Sequence, residues 1–162
     1  MKKTEIKCQV CEEGTLISSV ERITIEYNGV SGEVDSYYLY CDVCGVHSGV
    51  EEIRKSKRNV IEFRKQALGL LTGKQVRDIR VKLRLNQSEA AKLFGGGPVA
   101  FSKYENDDII QSESMDKLLR VAAHSPEHVL PVLTNAYKSQ SKNTVRPPTT
   151  RKKSVKHAKA NQ

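Results

Sequence analysis

Cys8-Gln9-Val10-Cys11 and Cys41-Asp42-Val43-Cys44 contain every cysteine of the 162-residue chain, and their reading decides its N-terminal fold. A Cys-x-x-Cys loop aims two sulfurs at one ion, and two such loops complete the tetrahedral four-sulfur shell that Zn²⁺ takes. Gly14 and Gly45 follow the pairs closely, as suits the tight backbone of a metal knuckle. The spacing predicts one structural Zn²⁺ per chain on Cys8, Cys11, Cys41 and Cys44. Four thiolates leave no position for water, so this ion is expected to fold its domain and catalyse nothing. His47 then reads as a surface histidine. Two disulfides would need an oxidising compartment. Met1-Lys2-Lys3-Thr4-Glu5 leads into no apolar run of signal length, so the expected location is cytoplasmic. A single thioredoxin-type redox pair would sit near a βαβ unit, not in two distant copies.

Between the pairs, Ile23, Ile25 and Tyr27 alternate with Arg22, Thr24 and Glu26, the period of a half-buried strand. Asn28-Gly29 signals a hairpin turn, although Gly32 allows a longer one. Val34 to Tyr40 returns as a second strand into Cys41. A helix is expected over Glu51 to Leu68, with Val50, Ile53, Val60, Ile61 and Leu68 inward. Its charges, Lys65 among them, are expected to cover a solvated face, and Gly69 ends it or bends it. This helix reads as the joint between two domains.

The second half is helical throughout. Thr72 caps a helix expected to run to Leu85, with Val76, Ile79 and Leu83 inward. Asn86-Gln87-Ser88-Glu89 forms a capping box that opens a short helix, Gln87 to Phe94. Gly95, Gly96 and Gly97 force a reversal, Pro98 suits a helix start, and a helix follows over Val99 to Glu105, broken at Asn106-Asp107. A fourth is expected over Ser114 to Ala123, and a short fifth, limited by Pro131, over Pro126 to Leu133. The expected fold is therefore α+β: a small zinc-bound β-hairpin domain with its linker helix (1–68), then an all-α, five-helix, helix-turn-helix domain (69–137).

The net charge of +8 resides in the C-terminal tail. Residues 138–162 carry eight lysines and arginines and no acid, leaving 19 basic against 19 acidic residues before them. Rich in Ser, Thr, Asn and Pro, this tail cannot bury a core and is expected to be disordered. Apolar content is 38% and tryptophan is absent, so each core is small and the first needs its metal staple. No run approaches the ~20 apolar residues of a membrane span.

Two short helices around a glycine turn, with more helices packed on them, form a helix-turn-helix, whose second helix is the one set in the major groove of DNA. Helical spacing puts Ala100, Phe101 and Tyr104 in the core and Val99, Ser102, Lys103 and Asn106 outside. Lys103 can donate to guanine O6 and N7, and Val99 can pack on a thymine methyl. Ser102 and Gln87 suit phosphate. Such a bundle can also serve for pairing alone, since fold does not determine function. The glycine triplet lacks the Lys-Ser/Thr of a nucleotide loop and follows a helix, not a strand. His47, His124, His128 and His157 are scattered, so neither an enzyme nor a small-molecule substrate is expected.

The body of the chain, residues 6 to about 133, resembles the MqsA-type antitoxins of bacterial type II toxin–antitoxin modules. The likeness rests on the two knuckles and their hairpin, on Arg80-Val81-Lys82-Leu83-Arg84-Leu85-Asn86-Gln87-Ser88-Glu89-Ala90, on Phe94-Gly95-Gly96-Gly97, on Ala100-Phe101-Ser102-Lys103-Tyr104-Glu105, and on Lys117-Leu118-Leu119-Arg120-Val121. It implies a zinc domain that neutralises a ribonuclease toxin and a helix-turn-helix domain that forms homodimers and represses its operon at palindromic DNA. Members of the family often carry Asn where this chain has Val99 and Arg where it has Lys103, so the operator sequence does not transfer. The competing expectation is a stand-alone regulator without a toxin, and a toxic neighbouring reading frame separates the two.

Overall fold

The computed structural model describes residues 6–142, with side chains through residue 136. Two long strands, β2 (Thr15–Tyr27) and β3 (Val30–Cys41), pair antiparallel from Leu16↔Cys41 to Tyr27↔Val30. Asn28 (φ 52°) and Gly29 (φ 74°) make the two-residue turn, whose left-handed pair matches the twist of the strands. The hairpin extends further toward the cysteines than side-chain alternation suggested. β1 (Ile6–Lys7) pairs with the base of β2, and β4 (His47–Ser48) with the base of β3, giving a four-stranded sheet in the order β1-β2-β3-β4.

The linker helix, α1 (Val50–Ala67), departs from the sequence reading. Val50 and Ile53 are 73% and 59% exposed, whereas Lys65, assigned to the solvated face, is fully buried. The reason is that α1 lies along the edge of β3. β4 pairs only the base of that strand, so the remaining backbone groups need polar partners. Ser56 supplies them, its Oγ accepting from Tyr37 N–H and donating to Tyr37 O, and Asn59 Nδ2 donates to Asp35 O. Phe63 packs over Gly32. The contact stripe is thus Ser56, Asn59 and Phe63, which an apolar pattern does not reveal.

Five helices follow: α2 (Gly73–Lys82), α3 (Gln87–Phe94), α4 (Ala100–Glu105), α5 (Glu113–His124) and α6 (Pro126–Lys142). Thr72 and Asn86 both form complete capping boxes, with Gln75 and Glu89 reaching back. α2 stops at Lys82 because Arg84 turns left-handed at φ 57°. Val99 is the N-cap residue of α4, one position outside the helix expected to include it. α6 passes through the exposed Pro131 and continues to Lys142, well beyond Leu133. The first residues of the expected tail therefore belong to a helix, and 143–162 lie outside the described residues. The C-terminal core gathers Val76, Ala90, Phe94, Phe101, Leu119 and Ala122, with the Phe101 ring 5.9 Å from Phe94 and 6.0 Å from Tyr104. Among the described residues, the fully buried apolar positions of the N-terminal half are Cys8 and Cys41 alone. The sheet half thus has little core besides its sulfurs, the situation in which a small fold depends on a metal. No helix of the described residues is long and apolar enough to cross a membrane.

Candidate functional site

The knuckles close at the base of the hairpin. In the first, Cys8 O accepts from Glu12 N–H, and Cys8 N–H donates to Gly14 O. Glu12 takes the left-handed conformation at φ 59°. In the second, Gly45 N–H donates to Cys41 O, with Gly45 at φ 69°. The strand register Leu16↔Cys41 brings the two loops together. All four sulfurs lie within 4.8 Å of one another, with Cys8–Cys44 at 3.7 Å and Cys11–Cys41 at 3.6 Å. A tetrahedral ion with ~2.3 Å metal–sulfur bonds has sulfur–sulfur edges of about 3.8 Å, so the cradle fits Zn²⁺. These separations are well beyond the ~2.05 Å of a disulfide bond, so the four sulfurs are arranged around a common centre and not as two bonded pairs.

Backbone amides aim at the sulfurs: Val10 N–H at Cys8, Gly14 N–H at Cys11 and Cys44 N–H at Cys41. A Cβ at position 14 would overlap the Cys41 sulfur, which is why glycine stands there. The thiols are strongly uneven. The Gly14 and Glu13 amides pull Cys11 down to about 6. The Val46 amide favours the Cys44 thiolate, but burial and the neighbouring sulfurs outweigh it and push Cys44 up to about 12. Four anions cannot share so small a space without a cation among them. His47 points away, stacked on Tyr38 with ring centroids 4.6 Å apart.

At the other end, α3 and α4 meet through the turn Gly95-Gly96-Gly97, all three at positive φ. α4 buries Ala100, Phe101 and Tyr104 and leaves Val99, Lys103 and Asn106 exposed, with Ser102 half-buried. The exposed edge thus combines Val99, Lys103 and Asn106 as the spacing predicted. Gln87 is turned inward instead: its Nε2 donates to Glu105 Oε2 at 2.9 Å. That carboxylate also receives Arg80 through both Nε and Nη2, and Arg80 Nη1 donates to Leu85 O at 2.8 Å. Burial alone would raise the Glu105 carboxyl, but Arg80 and Gln87 hold it below the ordinary range. α2, α3 and α4 are joined by this one network. Gln87 was legible as a polar residue near a helix start, but its partner lies 18 positions away, where no local pattern reaches.

Lys103 also borders a groove between α4 and α1, with Val50, Ile53, Arg54, Lys57, Arg58 and Asp108 on its walls. The sequence reading missed the groove, and it missed the bond from Arg58 Nε to Asp108 Oδ1 at 2.8 Å that closes one end.

A cluster of four cysteines that could hold a metal ion, set at the base of a β-hairpin and joined through one helix to a five-helix bundle, defines a two-part architecture. The family model described as "Antitoxin component of bacterial toxin-antitoxin system, MqsA" matches residues 6–132. The chain belongs to this family and is an antitoxin of a toxin–antitoxin system. It is similar to antitoxin MqsA of Escherichia coli (strain K12), 33% identical over 125 residues, a match that covers 75% of this chain and 95% of that protein.

Proposed function

We propose that this antitoxin neutralises a ribonuclease toxin through residues 1–68 and represses its own operon through residues 69–137, bound as a homodimer to an inverted repeat. The observation that carries the DNA reading is α4: it follows a glycine turn, anchors through Phe101 and Tyr104, and offers Val99, Lys103 and Asn106 to solvent as one edge. Lys103 reads guanine, Val99 contacts a thymine methyl, and Ser102 and Asn106 take the flanking backbone. Gln87 acts indirectly, by holding Glu105 and with it the C-terminal end of α4. One six-residue helix reads few base pairs, so two copies are needed. Val121 of α5 and Val132 of α6, both more than half exposed, supply apolar surface for pairing.

Toxin binding falls to the hairpin. β1 covers only the base of β2, so among the described residues the outer edge of β2 from Ile17 to Tyr27 has no strand partner. An open edge flanked by exposed Ile17 and Val20 suits addition of a strand from another protein. Zn²⁺, held by Cys8, Cys11, Cys41 and Cys44, keeps the base of that hairpin closed and supplies no reaction chemistry.

Two measurements test this. The chain, mixed with the product of the reading frame beside its own, should block that protein's RNA cleavage, and a substitution of Pro for Val20 should weaken the block. Lys103→Ala should lose roughly 1–3 kcal/mol on the operator and relax its preference. Equal loss on operator and random duplex would show that Lys103 touches phosphate only.

A further inference from the structure

Lys65 is the one buried residue of α1 and is 0% exposed. Lysine is almost never fully buried without a partner. Its Nζ donates to Tyr104 O at 2.9 Å and to Asp107 Oδ1 at 2.7 Å. The same Oδ1 accepts from Gly73 N–H at 2.9 Å. Tyr104 belongs to the last turn of α4, where carbonyls lack helical partners and a cation is favoured. Asp107 follows that helix in the left-handed conformation, φ 54°. Gly73 opens α2, and a Cβ there would come within 2.5 Å of both Asp107 Oδ2 and Glu105 O. One ammonium from the sheet half therefore closes a joint made by the end of α4 and the start of α2. Arg58, two turns earlier on α1, reinforces it by its bond to Asp108.

We propose that Lys65 is a positioning residue for α4: it fixes the sheet half and the helix-turn-helix half as one body and holds the C-terminal turn of the recognition helix. The consequence for DNA rests on the reading of α4 as the DNA-facing helix. The tether itself does not. Removing only Lys65 leaves the Asp107 carboxylate buried without its cation, which is costly. Removing both charges separates the tether from that penalty, because Asn at 107 tolerates the left-handed turn and can still accept from Gly73.

The test uses the full-length, zinc-loaded chain as wild type, Lys65→Met, and Lys65→Met with Asp107→Asn. Residual dipolar couplings report whether the two halves align as one body. The wild type should give a single alignment tensor. The double variant should keep both halves folded and recover the melting temperature that Lys65→Met loses, yet give two diverging tensors. Its Gly73 and Asp107 amides should exchange about tenfold faster than in the wild type. Its preference for operator over random duplex should fall about tenfold, with random binding unchanged. A double variant that keeps the wild-type tensor and exchange rates would overturn the proposal, as would diverging tensors with an unaltered operator preference. If the wild type prefers no duplex at all, the DNA reading fails, and the tensors still decide the tether.

Discussion

Replacing Glu105 by Gln should destabilise the helix-turn-helix half by far more than the loss of a surface charge. Side-chain exposure is 4% for Glu105 and 14% for Arg80, so the guanidinium would keep its charge with little water to compensate. Breaking a buried pair by removing one member costs about 3–5 kcal/mol. Arg80 retains its bond to Leu85 O, and glutamine can still accept one N–H, so about 2–3 kcal/mol is expected here. At about 4–8 °C per kcal/mol for a domain of this size, the transition of the helical half should fall by roughly 10–20 °C. Lys117→Ala is the control. Its pair with Glu113 is 74% and 77% exposed and should be worth no more than ~0.5 kcal/mol. Combining Glu105→Gln with Arg80→Met removes the orphaned cation and should restore more than half of the loss. Thermal and urea unfolding followed by circular dichroism measures all four proteins. A Glu105→Gln midpoint no lower than that of Lys117→Ala would refute the claim that this network holds α2, α3 and α4 together.

The other expectations concern metal, acid and the tail. Cys41→Ser should abolish stoichiometric zinc in elemental analysis and unfold the hairpin, while the helical half, with its own core, retains its amide spectrum. Glu105 and Asp116 both titrate below their ordinary values, because Arg80 for the one and Arg120 for the other outweigh the effect of burial. A depressed carboxyl adds stability above its unfolded value and loses it as pH falls through the folded one. The helical half should therefore melt at a constant temperature near neutrality and lose stability below the ordinary glutamate value of 4.5, with a shallower acid slope in Glu105→Gln. Deleting residues 143–162, which carry Arg146, Arg151, Lys152, Lys153, Lys156 and Lys159, should weaken binding to operator and random duplex alike. It should also flatten the salt dependence by about 0.9 in log K per log salt for each phosphate that the shortened chain no longer neutralises. Identical slopes for the two lengths would mean that the tail does not touch DNA.

The sequence alone determined the features that depend on near neighbours. Each Cys-x-x-Cys contains its own loop, so the four cysteines that the fold gathers into one cluster were legible before any fold was. Asn28-Gly29, the Thr72 cap and the Asn86 capping box likewise complete themselves within a few residues, and the structure realises all three, adding Gln75 as the reciprocal partner of Thr72. The inner and outer edges of α4 followed from helical period, because Phe101 and Tyr104 are its large apolar side chains. Tertiary structure decided where polar groups went. Gln87 reads in sequence as a phosphate ligand, but a carboxylate on another helix takes it. Lys65 reads as solvated, as a lysine on an amphipathic helix would be, but Asp107, remote in sequence, makes its burial possible. Val50 and Ile53 read as inward, but α1 satisfies a strand edge through Ser56 and Asn59 and leaves them outside. Hydrophobic periodicity encodes which face avoids water, whereas a buried charge depends on a partner that only the folded chain brings within reach.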